Sequence, residues 1–109
     1  MNFADYQAQA AGFAVYESPE YPLLGLAEET GEFIGIFAKA SRGDDLYARF
    51  GGTEGLNRAL LREAGDILWQ LSQCLTAQGL SLADAAALNL EKLADRRARG
   101  VLSGTGDTR

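Results

Sequence analysis

The sequence predicts an all-α protein, and three observations support that class. Apolar residues recur at the three- and four-residue spacing of amphipathic helices over most of the chain. No segment shows the sustained apolar–polar alternation of a β-strand, and helix-capping or helix-ending residues flank the periodic segments. Because 109 residues suffice for a single core, we expect residues 1–109 to form one domain with four main helices.

The first two helices are separated by the segment S-P-E-Y-P, which contains both prolines of the chain. The first helix is predicted from about Phe3 to Tyr16, so residues 1–20 would form an N-terminal helix and linker. Pro22 suits the first turn of a second helix, because its fixed φ angle fits there and its missing N–H is not needed. This helix is predicted to run to about Ser41.

Residues 42–53 are rich in glycine and charged side chains, and they are predicted to form a loop. A long third helix follows from about Glu54 to Gln78. Thr53 is its predicted N-cap, because a threonine hydroxyl can accept a hydrogen bond from a free N–H of the first turn. Gly79 is its predicted end, since glycine readily adopts the left-handed conformation that follows many helices.

The fourth helix is predicted from Leu82 to about Arg99, with Ser81 as its N-cap and Gly100 as its end. Residues 100–109 contain turn-forming residues and too few apolar ones for a helix or strand. We therefore expect these last residues to form an irregular tail.

Composition excludes several classes of function. The net charge of −5 argues against a nucleic-acid backbone as the main partner. No apolar run approaches membrane-spanning length, and Cys74 is the only cysteine, so we expect a cytoplasmic protein without membrane contact or internal disulfide. Because histidine is absent, any metal would be a hard ion with oxygen ligands: Mg²⁺ first, with Mn²⁺ as the substitute.

Two pairs of carboxylates stand three residues apart on predicted helices: Glu29 with Glu32, and Glu63 with Asp66. This spacing puts both members of a pair on one helix face, and each pair borders an apolar stripe. An antiparallel helix pair would bring the four together, which requires cations if they are buried. The alternative is two solvated helix faces, because acidic residues are common on helices.

The fourth helix has a stripe of polar and basic residues at positions i, i+3, i+7 and i+10: Asn89, Lys92, Arg96 and Arg99. A row of cations beside a carboxylate cluster suits a phosphate chain, whose oxygens are shared between the metal and the cations. The alternative is stabilisation of the helix dipole, which favours basic residues in the last turn.

Trp69 is predicted to project away from the apolar stripe of the third helix. That stripe comprises Leu60, Leu61, Ala64, Ile67, Leu68, Leu71, Cys74 and Leu75. An indole on the opposite face is either an oligomer contact or an aromatic wall for a nucleobase. We favour the oligomer contact, because a second apolar face on a small helical protein usually has a partner.

With these residues in place, the chain resembles the MazG-like nucleotide pyrophosphohydrolases of the all-α NTP pyrophosphatase superfamily. Their pattern is E-E-x-x-E on one helix and E-x-x-D on the next, here at Glu28–Glu32 and Glu63–Asp66. The segment N-x-x-K-L follows at Asn89–Leu93, and the resemblance spans roughly residues 22–109. It implies a four-helix bundle completed by oligomerisation, as a homodimer or homotetramer.

The resemblance also implies Mg²⁺-dependent hydrolysis of a nucleoside or deoxynucleoside triphosphate to the monophosphate and pyrophosphate by a metal-activated water. Glu29, Glu32, Glu63 and Asp66 would hold the metal, and Glu28 would touch a second ion or orient water. Glu28 or Glu29 would accept the proton, and the phosphates would be contacted by Asn89, Lys92 and Arg96. The 42–53 loop and the tail would close over the base. Two alternatives stay open: a phosphoribosyl-ATP pyrophosphohydrolase activity, and a non-catalytic helical module that binds a protein.

Overall fold

A computed structural model describes all of residues 1–109 and confirms the all-α class. Its five helices are α1 (Phe3–Ala11), α2 (Tyr21–Ser41), α3 (Leu46–Phe50), α4 (Thr53–Ala77) and α5 (Leu82–Ala98). Four of them are the predicted helices, and α3 is an addition within the predicted loop. None of the five combines the length and the apolar character that a membrane crossing requires.

Helices α2 and α4 form the main contact of the fold and run antiparallel. The direction follows from two successive contacts. Gly25 of α2 lies against the side chain of Gln70 of α4, and Glu29, one turn later on α2, meets Asp66, one turn earlier on α4. Gly25 allows this approach because a Cβ at that position would overlap the Gln70 amide. The helix pair therefore places the two acidic motifs beside each other.

Helix α1 is shorter than predicted and ends at Ala11, with Gly12 as its C-cap. The prediction that it continues to Tyr16 was wrong, because the chain leaves the helix and packs an aromatic ring on α4 instead. Tyr16 packs against Trp69 of α4 and also stacks on Tyr21 of α2, with the two tyrosine ring centroids 4.9 Å apart. Glycine at position 12 weakens further helix formation.

Trp69 packs within the chain and does not present its indole to solvent as an unpartnered face. Its Nε1 donates a hydrogen bond to the main-chain oxygen of Ala10 at 3.1 Å. The ring of Tyr16 meets the indole edge-on, with centroids 6.2 Å apart. The expectation that this face of α4 is left without a partner in the chain was therefore wrong: the N-terminal segment, whose packing the helical projection cannot indicate, packs on it. An oligomer contact at the half-buried Trp69 stays a prediction.

Helix α3 makes part of the 42–53 segment a folded corner. Asp45 caps it by accepting a hydrogen bond from the Ala48 N–H at 3.1 Å. Gly51 and Gly52 then adopt φ angles of 79° and 103°, which favour glycine. Thr53 is already inside α4 and is not its N-cap, because the glycine pair turns the chain so that Gly52 occupies the cap position without a side-chain hydrogen bond.

In the connection from α4 to α5, Gly79 and Ser81 have the roles predicted for them. Gly79 has a φ angle of 68°, and the Ser81 hydroxyl accepts a hydrogen bond from the Asp84 N–H at 3.2 Å. Gln7 of α1 secures this corner: its Nε2 donates to the Leu80 main-chain oxygen at 2.9 Å and its Oε1 accepts from the Leu82 N–H at 2.8 Å. Helix α5 consequently packs on α1 and stands away from the α2–α4 pair.

The buried face of α4 is more polar than its apolar periodicity predicts. Gln70, Ser72 and Gln73 are all buried, whereas Leu61 and Leu71 of the predicted stripe are exposed. The assignment of the stripe as the core-facing side was therefore only partly correct. Helical periodicity shows which residues share a face, but the packing partner decides which face is covered, and here α2 meets the polar side.

Candidate active site

Three carboxylates from α2 and α4 converge between the two helices. Oxygens of Glu29, Glu63 and Asp66 all lie within 4.8 Å of one another. Glu29 and Glu63 are half-buried and Asp66 is exposed, so the group opens to solvent on one side. We call these three residues the acidic cluster. Three adjacent carboxylates repel each other in the absence of a cation, and this repulsion is greater where water is partly excluded.

The pKa of the Glu29 carboxyl is raised above its ordinary value. Partial burial is the largest cause, and the negative charge of Asp66 is the second. The charges of Glu32, Glu28 and Glu63 add to the effect. Glu28 and Glu32 are exposed and do not belong to the cluster, yet both are near enough for their charges to reach Glu29.

The residues around the cluster suit a hydrated divalent ion. Carboxylate oxygens are the ligands that Mg²⁺ and Mn²⁺ prefer, and the cluster contains no sulfur or nitrogen donor. Gln70 lies one helical turn along α4 from Asp66, and its buried Oε1 has no hydrogen-bond partner. A water bound to the ion is a hydrogen-bond donor, so an unpaired acceptor on the neighbouring turn fits the chemistry of the site.

Tyr6 of α1 is a further neighbour of the cluster that the sequence did not single out. Burial and the charge of Asp66 raise the pKa of its phenol. The hydroxyl therefore stays protonated at neutral pH and can donate a hydrogen bond. Its position follows from the packing of α1 on α4, which no local sequence pattern indicates.

The basic residues predicted to bind phosphate have a different partner. Lys92 Nζ lies 2.7 Å from Asp107 Oδ1, and Arg96 Nη2 lies 3.0 Å from the same oxygen. Neither forms an ion pair with the acidic cluster. Asn89 is exposed on α5 and lines a shallow groove with Lys92, and every residue of that groove belongs to α5. Within one copy of the chain, the two predicted halves of the site are thus not in contact.

Asp107 is the residue of this region that sequence reasoning missed. The tail was predicted to be irregular, and it contains neither helix nor strand. The only sequence feature that could have indicated a pairing there was a lone aspartate in the tail that follows a run of basic residues. Ion pairs between a helix and an irregular segment depend on how that segment folds back, so the pairing with Lys92 and Arg96 could not be read from spacing.

Comparison with known proteins agrees with these motifs. The family model described as the MazG nucleotide pyrophosphohydrolase domain matches residues 17–101. A curated relative, the Gene 37 protein of Mycobacterium phage L5, is 32% identical over 113 residues, which cover 95% of this chain and 96% of that protein. No solved structure gives a significant match. The family match includes both acidic motifs and all of α5.

Proposed function

Since this chain belongs to the MazG nucleotide pyrophosphohydrolase family, we propose that it hydrolyses a nucleoside or deoxynucleoside triphosphate to the monophosphate and pyrophosphate with Mg²⁺. The observation that carries this proposal is the acidic cluster, in which E-E-x-x-E on α2 meets E-x-x-D on α4. Three oxygens so close together suit a divalent ion, and a triphosphate requires one to offset its charge.

In this proposal Glu29, Glu63 and Asp66 hold the ion, and Glu32 joins them from the next turn of α2. Mg²⁺ bound there lowers the pKa of a water ligand and offsets phosphate charge, and Mn²⁺ is the substitute ion. Glu28 and Glu29 are the candidates for accepting the proton from the attacking water. Glu28 is the better of the two, because it lies outside the cluster and, unlike Glu29, is not among the residues proposed to hold the ion.

Asn89, Lys92 and Arg96 are proposed to bind the phosphate chain. Their positions at every third or fourth residue of α5 allow one extended anion to contact all three. Arginine supplies two parallel donors to a phosphate, and lysine supplies a compact charge. For this role both cations must exchange Asp107 for a phosphate oxygen.

We further propose that the protein is a homodimer or homotetramer. Leu90 and Leu93 of α5, three residues apart and therefore on one helix face, are 68% and 37% exposed, and the radius of gyration is 17.0 Å, against about 13 Å for a compact chain of this length. Helix α5 therefore has an apolar face that a second copy can cover. Such a copy would also offer its own cations to the acidic cluster. Light scattering would test this directly, since one copy has a mass of 11.7 kDa.

The deciding experiment supplies a panel of ribo- and deoxyribonucleoside triphosphates, together with phosphoribosyl-ATP, and identifies the products. We expect pyrophosphate and a monophosphate from at least one nucleotide, only when Mg²⁺ or Mn²⁺ is present. Preference for phosphoribosyl-ATP would indicate that more specialised activity. No pyrophosphate from any substrate, together with an unchanged melting temperature on adding Mg²⁺, would support a non-catalytic helical module instead.

We expect the metal-free protein to become more stable when the pH falls from neutrality toward the ordinary carboxylate range. The pKa of Glu29 is higher in the folded chain than in the unfolded chain. Its charge therefore opposes folding above that pKa, and the opposition is relieved as the pH falls through it. Asp107 has a lowered pKa, so the stability that it contributes is lost only at still lower pH.

Melting temperatures across this pH range, with and without Mg²⁺, test the expectation. Mg²⁺ should raise the melting temperature most at neutral pH, because protons compete with it for the cluster at lower pH. The Glu29→Gln variant is the control, since it should lose much of the pH dependence. If that variant follows the parent curve, the perturbed titration does not belong to Glu29.

A further inference from the structure

The tail formed by residues 100–109 folds back along α5 and places a carboxylate on the cations proposed for phosphate binding. Asp107 Oδ1 contacts both Lys92 Nζ and Arg96 Nη2, at 2.7 and 3.0 Å. The main-chain oxygen of Asp107 accepts a further hydrogen bond from Arg96. Two cations that share one carboxylate oxygen form an anion site, and in this conformation the chain's own tail occupies it.

Additional contacts hold the tail in this position. Arg99 Nη2 donates to the main-chain oxygen of Arg109 at 2.6 Å, and Arg109 Nη2 donates to that of Leu102 at 3.3 Å. Arg96 and Arg99 thus hold the tail at the end of α5, and Arg109 closes the tail on itself. No other carboxylate pairs with Lys92 or Arg96, so displacement of Asp107 is the step that would free both cations.

The two partners of Asp107 differ in how accessible they are. The Arg96 side chain is only 6% exposed and the Lys92 side chain 42% exposed, whereas the Asp107 side chain is 78% exposed. The bound carboxylate therefore lies on the solvent side of the pair. An incoming anion can approach from that side, and it must take the same donor atoms that Asp107 now uses.

We propose that the tail is an internal competitor for the substrate: Asp107 occupies the phosphate site of Lys92 and Arg96, and a triphosphate binds there only by displacing it. This inference rests on the proposed function for the identity of the ligand. Such competition changes the measured affinity for anions in a predictable way. If a fraction of molecules has the tail closed, every anion that needs these cations loses apparent affinity by the same factor.

The test replaces Asp107 with asparagine, which keeps the shape of the side chain and removes its charge. Asp84→Asn is the matched control, because Asp84 is an exposed carboxylate of α5 that lies outside the groove of Asn89 and Lys92 and pairs with neither Lys92 nor Arg96. Isothermal titration calorimetry with tripolyphosphate, without metal, measures the anion site alone. Steady-state kinetics with Mg²⁺ and the best nucleotide of the panel measures the substrate.

We expect D107N to tighten tripolyphosphate binding and to lower KM by the same factor, about threefold to tenfold, because exposed ion pairs are individually weak. The kcat should remain within twofold, and D84N should leave both affinities within twofold. Equal or weaker tripolyphosphate binding by D107N would overturn the proposal, because the tail would then hold the cations in place instead of competing for them. A matching gain in D84N would also overturn it, since net charge alone would explain the effect.

The proposed hydrolase activity and the proposed competition by Asp107 can be refuted independently. If the parent protein produces no pyrophosphate from any nucleotide, the proposed function fails, but the calorimetry still reports whether Asp107 competes with a polyphosphate. If the parent is active and D107N shows the parental affinities, the competition fails while the proposed function stands.

Discussion

Asp66→Asn should reduce pyrophosphate release by about a hundredfold or more at saturating nucleotide and Mg²⁺. Asp66 is the exposed member of the acidic cluster, and it shares the space between α2 and α4 with Glu29 and Glu63. An amide of the same shape keeps the packing but removes one of the charges that bind the ion. Pyrophosphate release, measured by a coupled assay, gives the rate.

The same substitution should stabilise the metal-free protein, because the negative charge of Asp66 raises the pKa of Glu29 and thus opposes its ionisation. Activity and stability should therefore move in opposite directions, which separates loss of the site from loss of the fold. Glu54→Gln is the matched control on α4, since Glu54 is exposed and pairs only with Arg58, one turn away. It should leave the rate unchanged. A D66N variant with the parental rate would refute the site assignment.

Glu32→Gln extends the test to a residue outside the cluster. The sequence places Glu32 with Glu29 as a pair, whereas the structure brings together only Glu29, Glu63 and Asp66. If the ion draws Glu32 in from its exposed position, this variant should lose activity as D66N does. If Glu32 only adds to the surrounding charge, the loss should be small, and the proposed ligand set would be limited to the three clustered residues.

The parts of this molecule that follow from local sequence were predictable. Gly79 and Ser81 end and begin helices through interactions within a few residues, so their types and positions suffice to place them. The pairing of Glu29 with Asp66 required one further step, namely that α2 and α4 run antiparallel. Successive long helices commonly pack antiparallel, and the acidic motifs are positioned to meet in that arrangement.

The remaining features depend on contacts between distant segments. Trp69 was expected to face a partner, but its indole bonds to Ala10, 59 residues earlier. Asp107 forms an ion pair with Lys92 because the irregular tail folds back onto α5. Gln70 is buried because Gly25 on another helix leaves room for its amide. In each case the residue type permits several environments, and only the packing of a second segment selects one.

Gly55→Ala should lower the free energy of unfolding by about 2–3 kcal/mol. A Cβ at Gly55 would overlap the main-chain oxygen of Phe50, at the end of α3. A flexible side chain could rotate away, but a backbone carbonyl moves only if α3 shifts as a unit. Urea unfolding followed by circular dichroism measures the change.

Gly65→Ala is the matched control on the same helix, because a Cβ at Gly65 would meet no atom within 4 Å. Alanine should stabilise α4 there by about 0.5–1 kcal/mol through its lower entropy in the unfolded chain. The two variants make the same chemical change with opposite expected signs, and their difference isolates the contact between α3 and α4. If Gly55→Ala were instead as stable as Gly65→Ala, α3 would not be held against α4. Residues 42–53 would then be free to move as the sequence suggested, closing over a bound base, whereas the expected loss would make them a fixed corner of the fold.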